Sequence, residues 1–345
     1  MKTKANTRYW YILAFLLSAL LMVLYKYPEA LDIIRAFGRA ERDAQTYSSL
    51  RTYIADVSQS RIDFIYYSFL FICVKIGIPL GFATTFVLFS YFVLLLKICT
   101  LFVRGRGNNL LIVSILIAVP TVTVISVSRN TFADVFLLLG IYQYLKGERW
   151  KTVFYFLVAV FSHFSVLMYV ALFIIAVVLS GKRANNKAHL GILLGVVIAG
   201  FVMPTFINEQ LLHFGTSYLE GTHYESYDTL NDTAVLRATQ VSNGDKLYFA
   251  YTLLMLIFLA FKDKNRDVMY WFMFFLCFMD AFFFNSSVQM SLRLTILTPV
   301  CIGYSLTSIY EKKILSKDTI KIISYGMIFI TMVYYFSVRP VFMNV

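Results

Sequence analysis

The chain has 345 residues, of which 59% are apolar and 14% are charged, and its formal net charge is +12. Apolar runs of about 15 to 23 residues recur along it, which excludes an ordinary soluble domain, because a membrane-spanning helix needs about 20 such residues. No basic and aromatic nucleic-acid recognition module accompanies the positive charge. Most of the charge is therefore assigned to membrane topology, with part of it available to an anionic substrate.

The apolar runs predict an all-α polytopic membrane protein, in which residues 1–345 form one integral membrane domain. The first run follows basic residues but precedes no small-residue cleavage site, so it is interpreted as an uncleaved signal anchor. About eleven crossings are predicted: 9–25, 80–102, 109–127, 131–145, two arms within 152–180, 189–206, 247–261, 268–285, 294–310 and 322–337. Two long outer loops, 26–79 and 207–246, are predicted to lie over a site at the outer face.

Lysine and arginine orient these crossings, because they concentrate in the short cytoplasmic loops of membrane proteins. With the N-terminus inside and the C-terminus outside, the inner segments hold Arg104, Arg106, Lys146, Arg149, Lys151, Lys182, Arg183, Lys187, Lys262, Lys264, Arg266, Lys312, Lys313, Lys317 and Lys321. The short outer junctions hold only Arg129 and Arg293.

Two segments fit this scheme only with a special geometry. Residues 63–78 are apolar, but counting them as a crossing moves Arg104 and Arg106 outside, so they are predicted to lie on or dip into the outer face. Residues 152–180 have basic loops at both ends, which predicts a hairpin of two short arms with its tip at Ser162 and His163. Short arms require a tip that is buried in protein or lines a cavity.

Arg129 and Arg293 are the first candidates for a functional site. A guanidinium presents a planar fork of donors that suits phosphate or pyrophosphate oxygens. The alternative is that each arginine only extends to the membrane interface. Their recurrence at one depth beside acidic residues favours phosphate binding.

Asp134, Asp280 and His163 also lie in or beside apolar runs, where an ionisable side chain usually faces a partner or a cavity. The two aspartates either pair with Arg129 or Arg293 or take part in chemistry directly, and an orienting role satisfies both interpretations. His163 is either a core histidine at the hairpin tip or a proton carrier or phosphate donor.

The first outer loop contains a third group of candidates. Asp43 and Tyr47 share one face of a predicted helix at i, i+4 spacing, and Arg39 and Arg42 lie close in sequence. This pattern fits a solvated charged helix, and it also fits a carboxylate that deprotonates a sugar hydroxyl beside a phosphate-bearing donor.

The sequence lacks the motifs of metal-dependent, nucleotide-binding and serine-hydrolase chemistry. The four cysteines lie within apolar segments and form no CxxC pair, and neither HExxH nor another spaced ligand set is present. We therefore predict no metal site and no cofactor. P-loop, GxSxG and Ser-Lys nucleophile patterns are absent as well.

The chain resembles the EpsG family of exopolysaccharide polymerases, which are similar in role to the Wzy O-antigen and capsule polymerases. The resemblance extends over roughly residues 9–310 and rests on four elements in order: Arg42, Asp43 and Tyr47; Asp63 and Tyr66; Arg129 and Ala133; and Ser162, His163, Phe164 and Ser165. Asp63, Asn130 and Ser162 depart from the usual Glu, Gln and Phe.

This resemblance implies a GT-C-like layout in a bacterial inner membrane, with the active site on the outer, periplasmic face. It implies transfer of a glycan from an undecaprenyl-pyrophosphate carrier onto a sugar hydroxyl of another lipid-linked repeat unit. The expected partners are that lipid-linked oligosaccharide, the bilayer, a chain-length regulator and a flippase. Asp43, His163 and Arg129 are the candidate catalytic residues, and Arg39, Arg42, Tyr47, Asp134, Asp280 and Arg293 the candidate substrate-binding residues.

Two alternative functions remain open from the sequence. One is a GT-C transferase that uses a polyprenyl-phosphate sugar, or an O-antigen ligase. The other is a transporter of lipid-linked oligosaccharide without chemistry, which inverted repeats or paired broken helices would favour. The sequence shows neither feature, and its polar candidates cluster at one face.

Overall fold

The computed structural model describes residues 7–24, 32–101, 103, 109–119, 128–180, 191, 194–195, 243–262, 266–283 and 293–338. Within those ranges the regular secondary structure is helical and contains no strand, which confirms the all-α prediction. The helices are α1 (Thr7–Leu24), α2 (Asp32–Thr46), α3 (Leu50–Ser60), α4 (Phe64–Lys75), α5 (Leu80–Cys99), α6 (Asn109–Ile117), α7 (Ser128–Leu145), α8 (Arg149–Ser162), α9 (Val166–Leu179), α10 (Asn243–Lys262), α11 (Val268–Phe283), α12 (Thr298–Glu311) and α13 (Lys317–Val338).

The helix α5 is the one helix in the described ranges that is both long enough and apolar enough to cross a bilayer. Shorter apolar stretches occur at Tyr9–Leu20, Phe64–Lys75, Val166–Leu179 and Val268–Ala281. The predicted crossing at 189–206 lies outside the described residues except for 191 and 194–195. Residues 207–242 of the second outer loop also lie outside them. The number of crossings therefore stays a prediction.

Contacts between helices agree with the predicted directions of the chain. The hydroxyl of Tyr91 on α5 donates to the carbonyl of Ile296, just before α12, and the hydroxyl of Thr307 on α12 donates to the carbonyl of Cys99. The two helices therefore run in parallel, as both were predicted to run inward. In a second contact, the hydroxyl of Tyr248 donates to the carbonyl of Ala118, so the start of α10 lies against the end of α6.

The predicted hairpin has its break where the sequence placed it. The helix α8 ends at Ser162, His163 is its extended C-cap residue, and α9 begins at Val166. Ser165 contacts Asn130 in the first turn of α7, whereas the ring of Phe173 on α9 contacts Tyr144 near the end of α7. The second arm therefore returns along α7 toward the loop that joins α7 to α8.

The helices α2, α3 and α4 form a smaller cluster at the end of the bundle where α7 begins. Its buried members are Ala36, Ala40, Tyr53, Val57, Tyr66, Tyr67, Leu70, Phe71, Val87 and Phe132, of which Val87 and Phe132 belong to α5 and α7. With 12 residues, α4 is about 18 Å long, which is shorter than a hydrocarbon core of about 30 Å. The helices α8 and α9, which are counted as crossing arms, have only 14 residues each, so the assignment of segment 63–78 to the outer face stays a prediction.

Labelling in intact cells tests the predicted orientation. Ser226→Cys and Asn185→Cys fall in the predicted outer loop and inner loop, both outside the described residues. We expect a membrane-impermeant maleimide to label Ser226→Cys directly and Asn185→Cys only after permeabilisation, because basic loops stay inside. The native cysteines are buried and give a low background. Labelling of Asn185→Cys from outside would contradict the hairpin and the orientation.

Candidate functional site

The helices α2 and α3 place two acidic and two tyrosine side chains opposite each other. Asp43 lies in the last turn of α2 and Tyr47 directly follows the helix, where its backbone N–H donates to the carbonyl of Asp43. Ser49 then caps α3, its side chain accepting a hydrogen bond from the backbone N–H of Thr52. This cap fixes the start of α3, which carries Tyr53 and Asp56 back toward α2.

A cleft of about 140 Å³ lies between these helices and the start of α4. It is lined by Arg39, Asp43, Tyr47, Tyr53, Asp56, Val57, Ser60, Arg61 and Tyr67. Tyr53 donates from its hydroxyl to Oδ2 of Asp43 at 3.2 Å, and Tyr47 donates to Oδ2 of Asp56. Each carboxylate in the cleft is therefore held by one phenol.

Both phenols stay protonated at neutral pH and can act as donors. Burial is the main cause that raises the pKa of Tyr53, and the nearby Asp43 carboxylate raises it further. The hydrogen bond to Asp56 is the main cause that raises the pKa of the partly buried Tyr47. The ring of Tyr53 also stacks on Phe71 with centroids 4.2 Å apart, which fixes the position of its hydroxyl.

Two guanidinium groups line the same cleft. Arg61 lies over the ring of Tyr67, with its Cζ atom 4.5 Å from the ring centroid, and Arg39 acts electrostatically on Tyr53. Neither arginine forms an ion pair within the described part of the chain. Arg42 is exposed and does not line the cleft, so its predicted role in substrate binding has no support from this geometry.

Arg129 lies one side chain away from the cleft. Its Nη1 atom is 3.1 Å from Oδ2 of Asp63 and 3.4 Å from the hydroxyl of Tyr67, which itself lines the cleft. Asp63 precedes α4 but makes no capping hydrogen bond there, and its carboxylate pairs with Arg129 instead. The partly buried ion pair thus joins α4 to the first turn of α7.

The other sequence-predicted residues form a buried polar cluster between α7, α9 and α11. Asp134, His163 and Asp280 are buried, and Arg293 interacts electrostatically with Asp134 and with His163. Arg129 also interacts with His163, so this cluster adjoins the ion pair described above. The carboxylate oxygens of Asp134 and both ring nitrogens of His163 have no hydrogen-bond partner in the described part of the chain.

The structure therefore sorts the predicted residues into two neighbouring groups. Arg39, Asp43 and Tyr47 line the cleft, whereas Asp134, His163, Asp280 and Arg293 belong to the buried cluster. Arg129 adjoins both groups, through Tyr67 on one side and His163 on the other. The predicted option of an ion pair between Asp134 and Arg129 is not formed, because Asp63 is the partner of this arginine.

Six lining residues were missed in the sequence: Tyr53, Asp56, Val57, Ser60, Arg61 and Tyr67. The i, i+3 spacing of Tyr53 and Asp56 was an available signal, since it places both side chains on one face of α3. Arg61 and Tyr67 carry no comparable local signal, because they approach the cleft from the junction between α3 and α4. No group of three or more His, Cys, Asp or Glu side chains in the described ranges is arranged to hold a metal ion.

Comparison with known proteins gives one match. The model of the EpsG family matches residues 31–342, which is nearly the whole chain. No curated protein matches the chain, and no solved structure does. The matched range includes the cleft, the ion pair of Arg129 and the buried cluster.

Proposed function

Because the chain belongs to the EpsG family, a Wzy-like family of polysaccharide polymerases, we propose that it elongates a glycan on a lipid carrier. The donor is a glycan linked to undecaprenyl pyrophosphate, and the acceptor is a sugar hydroxyl of another lipid-linked repeat unit. The hydroxyl oxygen bonds to the anomeric carbon of the donor while the bond from that carbon to the pyrophosphate breaks. Undecaprenyl pyrophosphate leaves with the electron pair, and the hydroxyl proton passes to a carboxylate.

The observation that carries this proposal is the position of Asp43. Its carboxylate lines an arginine-bearing cleft, and one tyrosine, Tyr67, separates that cleft from Arg129. A sugar hydroxyl is a poor nucleophile near neutral pH, so a carboxylate that accepts its proton accelerates the attack. A pyrophosphate leaving group needs preorganised positive charge, which guanidinium groups supply.

Each remaining candidate has a role in this scheme. Arg129 and Arg293 bind the pyrophosphate, Asp63 orients Arg129, and Asp134 and Asp280 supply negative charge in the buried cluster that includes Arg293. Arg39 and Tyr47 bind the acceptor in the cleft, whereas Arg42 is exposed outside the cleft and adds positive charge only at a distance. His163 is the second candidate for the base, since it interacts with both pyrophosphate-binding arginines. No cofactor enters the reaction.

The proposed setting is the bacterial inner membrane, with the active site at its outer, periplasmic face. The family is one of membrane polymerases, and the apolar composition agrees with that location. A GT-C-like layout with about eleven crossings belongs to this proposal. A flippase delivers the repeat units to the outer face, and a chain-length regulator limits the product.

Deletion of the gene tests the proposed reaction in cells. We expect surface polysaccharide to shrink to single repeat units, because each unit is still made and exported but no longer joined. Gel electrophoresis of the surface glycan and of the lipid-linked fraction measures this. Lipid-linked polymer of normal length would instead indicate a ligase, and repeat units confined to the cytoplasmic face would indicate a transporter. Either result contradicts the polymerase.

A further inference from the structure

The cleft between α2, α3 and α4 has a lining that the catalytic scheme uses only in part. Asp43 is the proposed base, whereas Asp56, Arg61 and Ser60 have no role in proton transfer or pyrophosphate binding. At about 140 Å³ the cleft has room for a sugar ring. It can therefore hold the terminal residue of a glycan.

The polar atoms of the cleft suit a ring that carries several hydroxyl groups. Tyr47 donates to one oxygen of Asp56, and Tyr53 donates to one oxygen of Asp43. Because a carboxylate has about four lone-pair sites, each aspartate can accept further hydrogen bonds. Arg39 and Arg61 form no ion pair in the described ranges, and a guanidinium is a donor only. The cleft thus presents acceptors and donors together, which matches hydroxyls that both donate and accept.

Charge further narrows the class of sugar. Two carboxylates, Asp43 and Asp56, face two guanidiniums, Arg39 and Arg61, so the formal charges that line the cleft balance. An anionic substituent on the sugar would bring a third negative charge against two guanidiniums, and a cationic one a third positive charge against two carboxylates, so either would leave one charge unbalanced in a small volume. A neutral ring keeps the balance.

The position of the cleft distinguishes acceptor from donor. Tyr67 lines the cleft with its ring under Arg61, and its hydroxyl accepts from Arg129. A sugar in the cleft thus touches Asp43 on one side and lies beside the pyrophosphate arginine on the other. This is the arrangement that an attacking hydroxyl needs.

We propose that this cleft binds one neutral pyranose, the terminal residue of the acceptor glycan, and that Asp56 and Arg61 determine its affinity. The proposal rests on the polymerase function proposed above. It assigns specificity to residues of α3 and its junction with α4, which contact the sugar without contacting the reacting bond.

A probe that can act only as an acceptor tests this site. An alkyl glycoside of the repeat unit has a terminal sugar but no pyrophosphate, so it can be elongated and cannot donate. Purified full-length protein in nanodiscs is given lipid-linked repeat units as donor, and the KM of each substrate is measured separately. In Asp56→Asn and Arg61→Met we expect the KM of the alkyl glycoside to rise about tenfold or more, with the KM of the donor unchanged.

Matched controls lie on the same helices. Glu41→Gln on α2 and Arg51→Met on α3 remove one charge each from exposed positions outside the cleft, and both should keep the wild-type KM values. Arg61→Lys keeps the charge and should recover part of the affinity, which a folding defect would not do. Elongation of the probe by the wild-type protein is the separate test of the polymerase function.

Two results would overturn the assignment while the polymerase function stands. One is a rise in the KM of the donor instead of the acceptor in Asp56→Asn and Arg61→Met, which would make the cleft a donor site. The other is a non-reducing terminal sugar that carries a carboxylate or phosphate, found by compositional analysis of the repeat unit. A neutral terminal pyranose together with an acceptor-specific rise supports the proposal.

Discussion

Replacement of Asp43 by asparagine should slow polymerisation at least about a hundredfold, because general base catalysis of this kind contributes about 10² to 10⁴ in rate. The carboxylate lies in the cleft, where the hydroxyl of Tyr53 holds one of its oxygens at 3.2 Å. Asparagine has nearly the same shape, and its amide oxygen still accepts the bond from Tyr53. The variant therefore retains the local fold and loses the base.

The control is Tyr53→Phe, which removes the hydrogen bond to Asp43 but leaves the carboxylate in place. If Asp43 only joins α2 to α3, Tyr53→Phe should lose at least as much activity as Asp43→Asn, because only Tyr53→Phe removes the hydrogen bond between the two helices. The account predicts a large loss in Asp43→Asn and a small one in Tyr53→Phe, measured as turnover of lipid-linked repeat units. Near-normal turnover in Asp43→Asn would eliminate this residue as the base and leave His163 as the candidate.

Replacement of Arg129 or Arg293 by lysine should reduce polymer formation about a hundredfold at normal protein level, because a preorganised donor to developing negative charge has an effect of that size. Lysine keeps the positive charge, and at position 129 it can still pair with Asp63. It cannot present the planar fork that binds two phosphate oxygens together. A loss in these variants therefore separates phosphate recognition from the structural ion pair.

Arg149→Lys is the matched control, since this arginine is exposed at the start of α8, away from the site. Chain-length ladders on a gel measure the effect, and immunoblots establish the protein level. Wild-type ladders in both Arg129→Lys and Arg293→Lys would show that the phosphate role of these arginines is wrong.

Local patterns in the sequence were sufficient to predict most of the fold. Apolar runs bounded by lysine and arginine predicted the helices, and the basic loops on both sides of 152–180 predicted the break at His163. Such patterns say little about packing between distant helices. The parallel contact of α5 with α12 joins residues about 200 positions apart and arises from tertiary structure.

The same difference between local patterns and long-range packing explains which parts of the site could be predicted. Asp43 and Tyr47 were predictable because i, i+4 spacing places both on one face of the predicted helix, and both line the cleft although α2 ends at Thr46. The partner of Arg129 was not predictable from local spacing, because Asp63 lies 66 residues earlier and contacts Arg129 only when α4 packs against α7. The helix ends also shifted: α7 begins at Ser128, so Arg129 lies inside its first turn and not before it.

The most direct test of the central claim uses the purified protein alone. Full-length wild-type chain in nanodiscs is incubated with lipid-linked repeat units in the presence of EDTA, and the products are separated by gel electrophoresis. We expect a ladder of lipid-linked chains that grow by whole repeat units, with release of undecaprenyl pyrophosphate. Unchanged single repeat units without EDTA would contradict the polymerase assignment, and a ladder that disappears only with EDTA would contradict the metal-free mechanism.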